Sequence, residues 1–349
     1  MTKPVVAVTF GDASGIGPEL VAKLLMRPEA LAAADIVLVG DAWVWAEGQR
    51  IAGTATAVKT IGSFEEARKS GGAPMLLELQ TVAKTDVIPS QVTVAAGRGA
   101  RRALTACLDA VKAGQIDAIC FAPLNKQAMK KGGMAFEDEL HFFADYFGVT
   151  DYFCEFNTLG ALWTSRISSH VPLADIPKYV TKDRIKAAAR LTYKTLKKAG
   201  FANPRVAVAA LNPHGGDGGT CGREEIDIIE PAARELNQEG LPILGPFPAD
   251  TIFLKARDGA LDSIVTMYHD QGQVAVKLLG FERGVTVAGG LPAPITTPAH
   301  GTAFDITGQG KANAEAMTQA LLLAAKMGAT RATWDPAAAG TPPGPSGKN

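Results

Sequence analysis

The segment "VTFGDASGIGPELV", residues 8–21, joins an apolar run to a glycine-rich turn and then to a helical pattern. The run Val5–Thr9 predicts a strand, and Pro18 suits the first position of a helix, where its missing N–H costs no hydrogen bond. Glycines at such a junction bring backbone amides and a helix N-terminus close to whatever lies above the strand. The segment predicts a strand–turn–helix unit of an α/β protein, and a tight turn without a ligand explains it equally well.

Two standard phosphate-binding loops do not fit this turn. A dinucleotide fingerprint needs a glycine three positions after Gly17, where the chain has Leu20. A P-loop needs Lys-Ser/Thr after its last glycine, whereas Pro18 and Glu19 follow Gly17.

Apolar runs typical of strands alternate with amphipathic stretches along the chain, which predicts a largely parallel sheet, or two sheets, covered by helices. The predicted strands are Val5–Thr9, Ile36–Val39, Ala118–Phe121, Arg166–Ser169, Val206–Leu211, Ser263–Tyr268 and Val285–Ala288. Helical patterns include Gly97–Gly114 and Lys182–Gly200. With 349 residues, 47% of them hydrophobic, the chain is long enough for two lobes.

Charge and apolar patterning exclude several classes of protein. Lys+Arg and Asp+Glu number 35 each, without a basic block, so nucleic acid is not an expected partner. No apolar run reaches the length of a membrane span, and a cytoplasmic location is expected. The four cysteines are scattered and are expected to be reduced. The Pro/Gly/Ala-rich tail, 335–349, is expected to be disordered.

Three of the five histidines directly follow a predicted strand: His170, His214 and His269. Ligands of open α/β sheets bind outside the carboxyl ends of strands. Neutral imidazoles are common ligands of first-row metals, so these three predict a metal site, although each is also explained as an ordinary hydrogen-bonded residue. Asp250 and Asp270 are candidate oxygen ligands or orienting groups.

A second glycine-rich segment, "AHGTAFDITGQGKANAEAMTQALLLAAKM", spans residues 299–327. Its small residues would let a flat ligand lie against the backbone, and the adenosine end of a cofactor is one candidate. A packing helix preceded by a glycine-rich loop is the other. The candidate cofactor residues here are His300, Gly301, Asp305, Gly308 and Asn313.

Taken together, eight motifs resemble the 4-hydroxythreonine-4-phosphate dehydrogenase family of vitamin B6 biosynthesis. They are "GDASGIGPEL", "APLNK", "SSHVPL", "LNPHGGDGG", "GPFPADT", "MYHDQG", "GFERGV" and "HGTAFDITGQGKAN", and they extend from the first strand to about Met327. That family is similar to the isocitrate and isopropylmalate dehydrogenases, which share a "GDGIGPE"-like start.

The resemblance implies a two-domain α/β fold with α/β/α layers that is not a Rossmann fold. Residues 1–125 with 280–330 would form the first domain, and residues 126–279 the second. It implies a homodimer whose active site lies between the domains and at the subunit interface. Gly15 and Gly17 would then belong to the cofactor cleft.

The resemblance further implies an NAD- or NADP-dependent oxidation of a secondary alcohol beside a carboxylated carbon, often followed by loss of carbon dioxide. A divalent metal (zinc, manganese, cobalt or magnesium) would be bound by His170, His214 and His269. It would acidify the alcohol and polarise the new ketone. Lys126 of "PLNK" is the candidate proton relay, and its alternative is a surface or salt-bridged lysine.

The chain departs from the family where phosphate would bind. Family members carry a "GHTEFF"-like segment, but this chain reads "DELHFF", which places Glu139 and Leu140 at the His-Thr pair. The family's asparagine and arginine fall on Thr286 and Ile295, whereas Lys277 is kept. A carboxylate would repel phosphate, and loss of the arginine removes paired charge-assisted bonds.

These departures predict a non-phosphorylated substrate, with terephthalate cis-dihydrodiol ranked first among hydroxy acids. The first alternative retains 4-hydroxythreonine 4-phosphate, held by Lys277, His141 and the partner subunit. A phosphate acetyltransferase-like acyl transferase and a non-catalytic binding protein are alternatives of other classes. The three histidines and the segment 300–310 count against the acyl transferase, and retention of the complete histidine set counts against the binding protein.

Overall fold

The computed structural model describes residues 3–69 and 72–330, so the tail predicted to be disordered, 335–349, lies outside the described residues. The strands are β1 Val5–Thr9, β2 Asp35–Gly40, β3 Lys59–Ile61, β4 Met75–Glu78, β5 Ala118–Phe121, β6 Cys154–Leu159, β7 Leu162–Arg166, β8 Val206–Ala209, β9 Ile243–Phe247, β10 Ser263–Thr266, β11 Val285–Gly289 and β12 Ile295–Pro298. The α-helices are α1 Gly17–Leu24, α2 Pro28–Ala33, α3 Ala42–Ala52, α4 Val94–Lys112, α5 Lys126–Lys131, α6 Glu139–Phe147, α7 Ile176–Tyr179, α8 Lys182–Lys198, α9 Glu230–Gln238, α10 Ala249–Arg257, α11 His269–Gly280 and α12 Glu315–Ala329.

The twelve strands form one sheet in the order β3-β4-β2-β1-β5-β12-β11-β6-β7-β10-β8-β9. The outer strands pair in parallel, but the central pairs β12/β11, β11/β6 and β6/β7 are antiparallel. This mixed order confirms an α/β fold that differs from the parallel dinucleotide-binding sheet. One predicted strand was misplaced: Arg166–Ser169 is wrong because β7 ends at Arg166, and residues 167–169 already lead toward His170.

Side chains of one strand alternate between two cores, as a sheet with helices on both faces requires. Val6 and Val8 of β1 pack in a core with α1, α3 and α12, whereas Val5 and Ala7 pack in another with α4 and α6. In the other half of the sheet, Val208 contacts the core of α8 and α9, and Ala207 that of α10. The layers are therefore α/β/α.

The two predicted domains meet at the antiparallel pair β11/β6. Strands from 1–125 and 280–330 occupy one side of the sheet order, and strands from 126–279 occupy the other. The division into domains stays a prediction. Cys107, Cys120 and Cys154 are buried thiols, and Cys221 is exposed.

Candidate active site

The three predicted metal histidines follow adjacent strands of the sheet. His170 lies just beyond β7, His269 begins α11 after β10, and His214 follows β8. Because β7, β10 and β8 are neighbours and run in parallel, their carboxyl ends lie at the same edge of the sheet, and the three histidines follow that edge. The rings of His170 and His269 are close, with centroids 5.8 Å apart.

Two of these histidines have a backbone conformation that residues other than glycine rarely adopt. The φ angle is +38° at His170 and +54° at His214. His214 begins a left-handed loop that continues through residues 215–218. Glu225 braces this loop by accepting hydrogen bonds from the backbone N–H groups of Leu211 and Asn212, at 2.7 and 2.8 Å. Such strain concentrates at functional sites, where it fixes the position of a side chain.

The donor chemistry around His269 suits a divalent metal. Its Nδ1–H donates to Asp270 Oδ1 at 2.7 Å, which leaves Nε2 as the free ligand atom. Asp270 therefore orients a histidine, and Asp250 is exposed in the first turn of α10.

In the described part of the chain, three ligand groups within 4.8 Å of one another occur at Glu137, Asp138 and His170. His214 and His269 lie outside this set. The structure therefore places the three histidines at one edge without gathering them into a closed ligand shell.

Four of the six predicted substrate-binding residues line one small cavity. Glu139 and Leu140 begin α6, Thr286 lies on β11, and Ile295 begins β12. The remaining lining residues are Phe121, Phe143, Glu155, Ala288 and Thr297. The alignment of motifs thus predicted a true spatial cluster.

A larger cavity, of about 250 Å³, adjoins the small one and shares Leu140 and Glu155 with it. His141 and His170 both line this larger cavity. Lys277 is exposed in the last turn of α11 and lines neither cavity. The two adjacent cavities place a predicted metal ligand, His170, near the predicted substrate residues.

Charges of both signs act on the N-terminus of α6. Burial raises the pKa of the Glu139 carboxyl; Lys126, the first residue of α5, opposes this shift, whereas Glu155 and Asp138 add to it. Burial alone would also raise the pKa of Asp138, but hydrogen bonds from the backbone and ring of His141 outweigh it and lower that pKa. The ring Nδ1–H of His141 donates to Asp138 Oδ1 at 2.7 Å.

A buried guanidinium that sequence reasoning missed, that of Arg166, lines the larger cavity together with His170. Arg166 is 5% exposed and donates to Glu155 Oε2 at 2.7 Å, to Asn157 Oδ1 at 2.8 Å and to Ser169 Oγ at 2.6 Å. Asn157 Nδ2 in turn donates to Thr286 Oγ1 at 3.1 Å. The signal was present in "CEFNTL", where Glu155 and Asn157 alternate with apolar residues as on a half-buried strand.

The glycine turn after β1 packs directly against the second glycine-rich segment. Ile16 N–H donates to the Thr302 carbonyl at 3.1 Å, and a Cβ on Gly15 would lie 2.8 Å from Thr302 Cβ. Glu19 Oε1 accepts from the backbone N–H of Ala312 at 2.8 Å, and Lys23 donates to the carbonyls of Gly310 and Ala312. The two predicted cofactor segments therefore form one continuous surface.

The predicted cofactor residues of this second segment differ in their surroundings. Gly301, Asp305, Gly308 and Asn313 are exposed, and His300 is half-buried. The Asn313 side chain accepts from Glu315 N–H at 2.9 Å, so it caps the start of α12. Gly308 has a φ of +78° with open space around the missing Cβ.

Two buried oxygen atoms in the turn after β1, Asp12 Oδ2 and Ser14 Oγ, have no hydrogen-bond partner among residues 3–69 and 72–330. The other oxygen of Asp12 accepts from Ser14 N–H at 2.8 Å. Burial raises the pKa of Asp12 despite this bond. Buried polar atoms are normally paired, so the orphaned oxygens fit the hydroxyl or amide donors of a bound cofactor.

Within residues 3–69 and 72–330, no helix combines the length and hydropathy that a membrane crossing requires. The family model of pyridoxal phosphate biosynthetic protein PdxA matches residues 32–324. A relative from Pseudomonas aeruginosa is 46% identical over 331 residues, which are 94% of this chain and 98% of that protein. That relative is named, as a provisional assignment, a 4-hydroxythreonine-4-phosphate dehydrogenase.

Two solved structures are similar over nearly the whole chain. The 4-hydroxythreonine-4-phosphate dehydrogenase from Klebsiella pneumoniae has a TM-score of 0.81 and 33% identity, covering 93% of this chain and 98% of its own. A terephthalate 1,2-cis-dihydrodiol dehydrogenase from Burkholderia xenovorans has a TM-score of 0.63 and 29% identity, covering 90% and 98%. The resemblance expected from the eight motifs is confirmed, and this chain belongs to the PdxA family.

Proposed function

We propose that this chain is a dehydrogenase that uses NAD or NADP and a divalent metal to oxidise the secondary alcohol of a short hydroxy acid with the 4-hydroxythreonine skeleton. The observation that carries this proposal is the placement of His170, His214 and His269 at the carboxyl ends of three adjacent strands. The names of the relatives add the reaction type, because they are dehydrogenases of a CH–OH group.

When bound, the metal would acidify the alcohol and polarise the new carbonyl, which assists decarboxylation, and NAD(P) would accept the hydride. His170, His214 and His269 would hold the metal, with Asp270 fixing the ring of His269 and Asp250 as a further oxygen donor. Lys126 is the proposed relay for the alcohol proton. Gly15, Gly17 and the loop 300–313 would hold the cofactor against backbone.

The names of the relatives favour the alternative substrate, 4-hydroxythreonine 4-phosphate, over the cyclic diol acid that the sequence ranked first. The terephthalate 1,2-cis-dihydrodiol dehydrogenase structure has a lower TM-score, 0.63, than the 4-hydroxythreonine-4-phosphate dehydrogenase structure, 0.81. The relatives' names likewise lend nothing to the acyl-transferase alternative.

The proposed homodimer is supported by exposed apolar side chains on α11, the helix that begins at His269, and on α10. Val274 and Leu278 lie four residues apart on α11 and are 58% and 83% exposed. Leu254 on α10 is 47% exposed. A second subunit that covered the side chains on α11 would pack against the helix that carries His269. Light scattering of the purified protein, read as mass per particle, checks this part of the proposal.

The reaction is tested by NAD and NADP reduction with metal-loaded protein, while carbon dioxide release is followed. The substrates are 4-hydroxythreonine, its 4-phosphate and terephthalate cis-dihydrodiol. We expect turnover of at least one four-carbon acid, and turnover of the cyclic diol alone would contradict the proposal. The His214→Ala variant should lose bound metal while it keeps its particle mass; unchanged metal content would refute the ligand assignment.

A further inference from the structure

Two carboxylates from different elements line the small cavity: Glu139 at the start of α6 and Glu155 on β6. In the described part of the chain, no neighbouring side chain donates a hydrogen bond to Glu139, and its carboxylate is held by its own backbone N–H. Glu155 already accepts from Arg166 at 2.7 Å. Glu139 is therefore the carboxylate of this pair that no side chain of the described residues already binds.

The guanidinium of Arg166, which is bonded to Glu155, already donates hydrogen bonds to protein groups. Arg166 donates from Nε and from both Nη atoms to Ser169, Asn157 and Glu155. With 5% of its side chain exposed, it cannot turn toward an incoming anion without breaking these bonds. Lys126 acts on Glu139 but also on Asp138, so its charge is shared between two carboxylates.

The sheet beneath the cavity adds neutral polar groups. Thr297, Thr286 and Asn157 lie opposite one another on β12, β11 and β6. Gln273 and Arg166 donate to Asn157 Oδ1, and Asn157 donates to Thr286. The Thr286 hydroxyl retains its own proton for a ligand oxygen. This floor can bind a hydroxyl but offers no net positive charge to a phosphate.

We propose that the end of the substrate farthest from the reacting alcohol carries a hydrogen-bond donor, either a hydroxyl or an ammonium group, that binds to Glu139 above Thr286, and that a phosphate ester is rejected there. This inference rests on the proposed function, because it names the chemistry at the far end of the same substrate. A phosphate dianion would face two carboxylates and would have to displace the bonds of Arg166.

Binding and turnover are measured separately, so that failure of the inference differs from failure of the proposed function. Calorimetry on the metal-loaded protein without NAD(P) compares 4-hydroxythreonine, its 4-phosphate and 2,4-diamino-3-hydroxybutanoate. We expect either phosphate-free ligand to bind at least about tenfold more tightly than the ester. The hydroxyl and amine ligands then distinguish the two kinds of donor. Equal or tighter binding of the ester overturns the inference, whether or not any compound is oxidised.

The Glu139→Gln variant tests the residue itself. It should weaken binding of the preferred donor by about tenfold and narrow the gap to the ester, because the charged acceptor is replaced by a neutral one. Asp145→Asn is the matched control, since it removes one exposed carboxylate from the same helix outside both cavities. An effect of equal size in both variants would mean that long-range charge alone, and not contact with Glu139, sets the preference, and would overturn the assignment.

Discussion

The cofactor side and the substrate side of the site are built in different ways. Between Gly15 and Thr302 the surfaces meet through backbone, and the contacts are amide hydrogen bonds and missing Cβ atoms. Around Arg166 the contacts are side chains of one charge network that joins β6, β7 and β11. On the cofactor side, backbone contacts determine the shape of the binding surface. On the substrate side, paired side chains determine its charge.

This difference bears on how each region tolerates change. A surface formed by backbone atoms can bind any ligand of complementary shape, so ligand binding there depends little on the identity of the neighbouring side chains. A charge network is specific because removing one member leaves another buried and unpaired. We therefore expect substitutions on the substrate side to alter specificity and stability together, and substitutions on the cofactor side to act through packing.

The largest effect is expected at Arg166. Replacing it with methionine keeps the bulk but leaves Glu155 without its donor, whereas Asn157 Oδ1 keeps the hydrogen bond from Gln273. Breaking a buried ion pair in this way costs about 3–5 kcal/mol, so Arg166→Met should lower the free energy of unfolding by that order. Urea unfolding of the metal-free protein measures it.

A second substitution separates the pair from simple packing. In Arg166→Met/Glu155→Gln the unpaired charge is gone, and a large part of the lost stability should return. If the double variant is as unstable as the single one, the lost free energy of unfolding comes from packing and not from the unpaired charge. The substrate side would then depend on packing, as the cofactor side does.

How far the sequence predicts each region follows from the range of its contacts. The glycine turn, the strand before it and the strand-end histidines are local patterns, and β1 and β5 have the predicted bounds. Strands β3, β4, β6, β9 and β12 escaped prediction because they are short or carry polar residues. The Arg166 network was missed with them, since it depends on β6 lying between β7 and β11.

An intermediate effect is expected at Gly11, which tests whether close backbone packing stabilises the cofactor side. Gly11 has a φ of +65°, and a Cβ there would overlap the carbonyl oxygens of Ala122 and Pro123. Gly11→Ala should therefore cost roughly 2–4 kcal/mol, the sum of backbone strain and overlap. Gly53 has nearly the same φ, +66°, with nothing within 4 Å, so Gly53→Ala should cost only about 1–2 kcal/mol. Equal losses in urea unfolding would show that the close contact at Gly11 carries no weight.

The smallest effect concerns Asp12, where the cofactor side does depend on one charge. Burial raises the pKa of Asp12 above its ordinary 3.8, so its contribution to stability is present below that value and is lost as pH rises through the folded pKa. Asp12→Asn keeps an oxygen for Ser14 N–H and cannot ionise. Its stability relative to the wild type should therefore increase from about pH 4 to about pH 7, while the KM for NAD(P) rises.

Asp262 supplies a control of opposite sign, because its hydrogen bond from Arg205 lowers the pKa. Because the pKa of Asp262 lies below 3.8, the wild type should gain stability over Asp262→Asn as pH rises toward about 4 and then change little up to about pH 7. If the relative stability of Asp262→Asn also increased between about pH 4 and about pH 7, burial of Asp12 would not be what the titration reports.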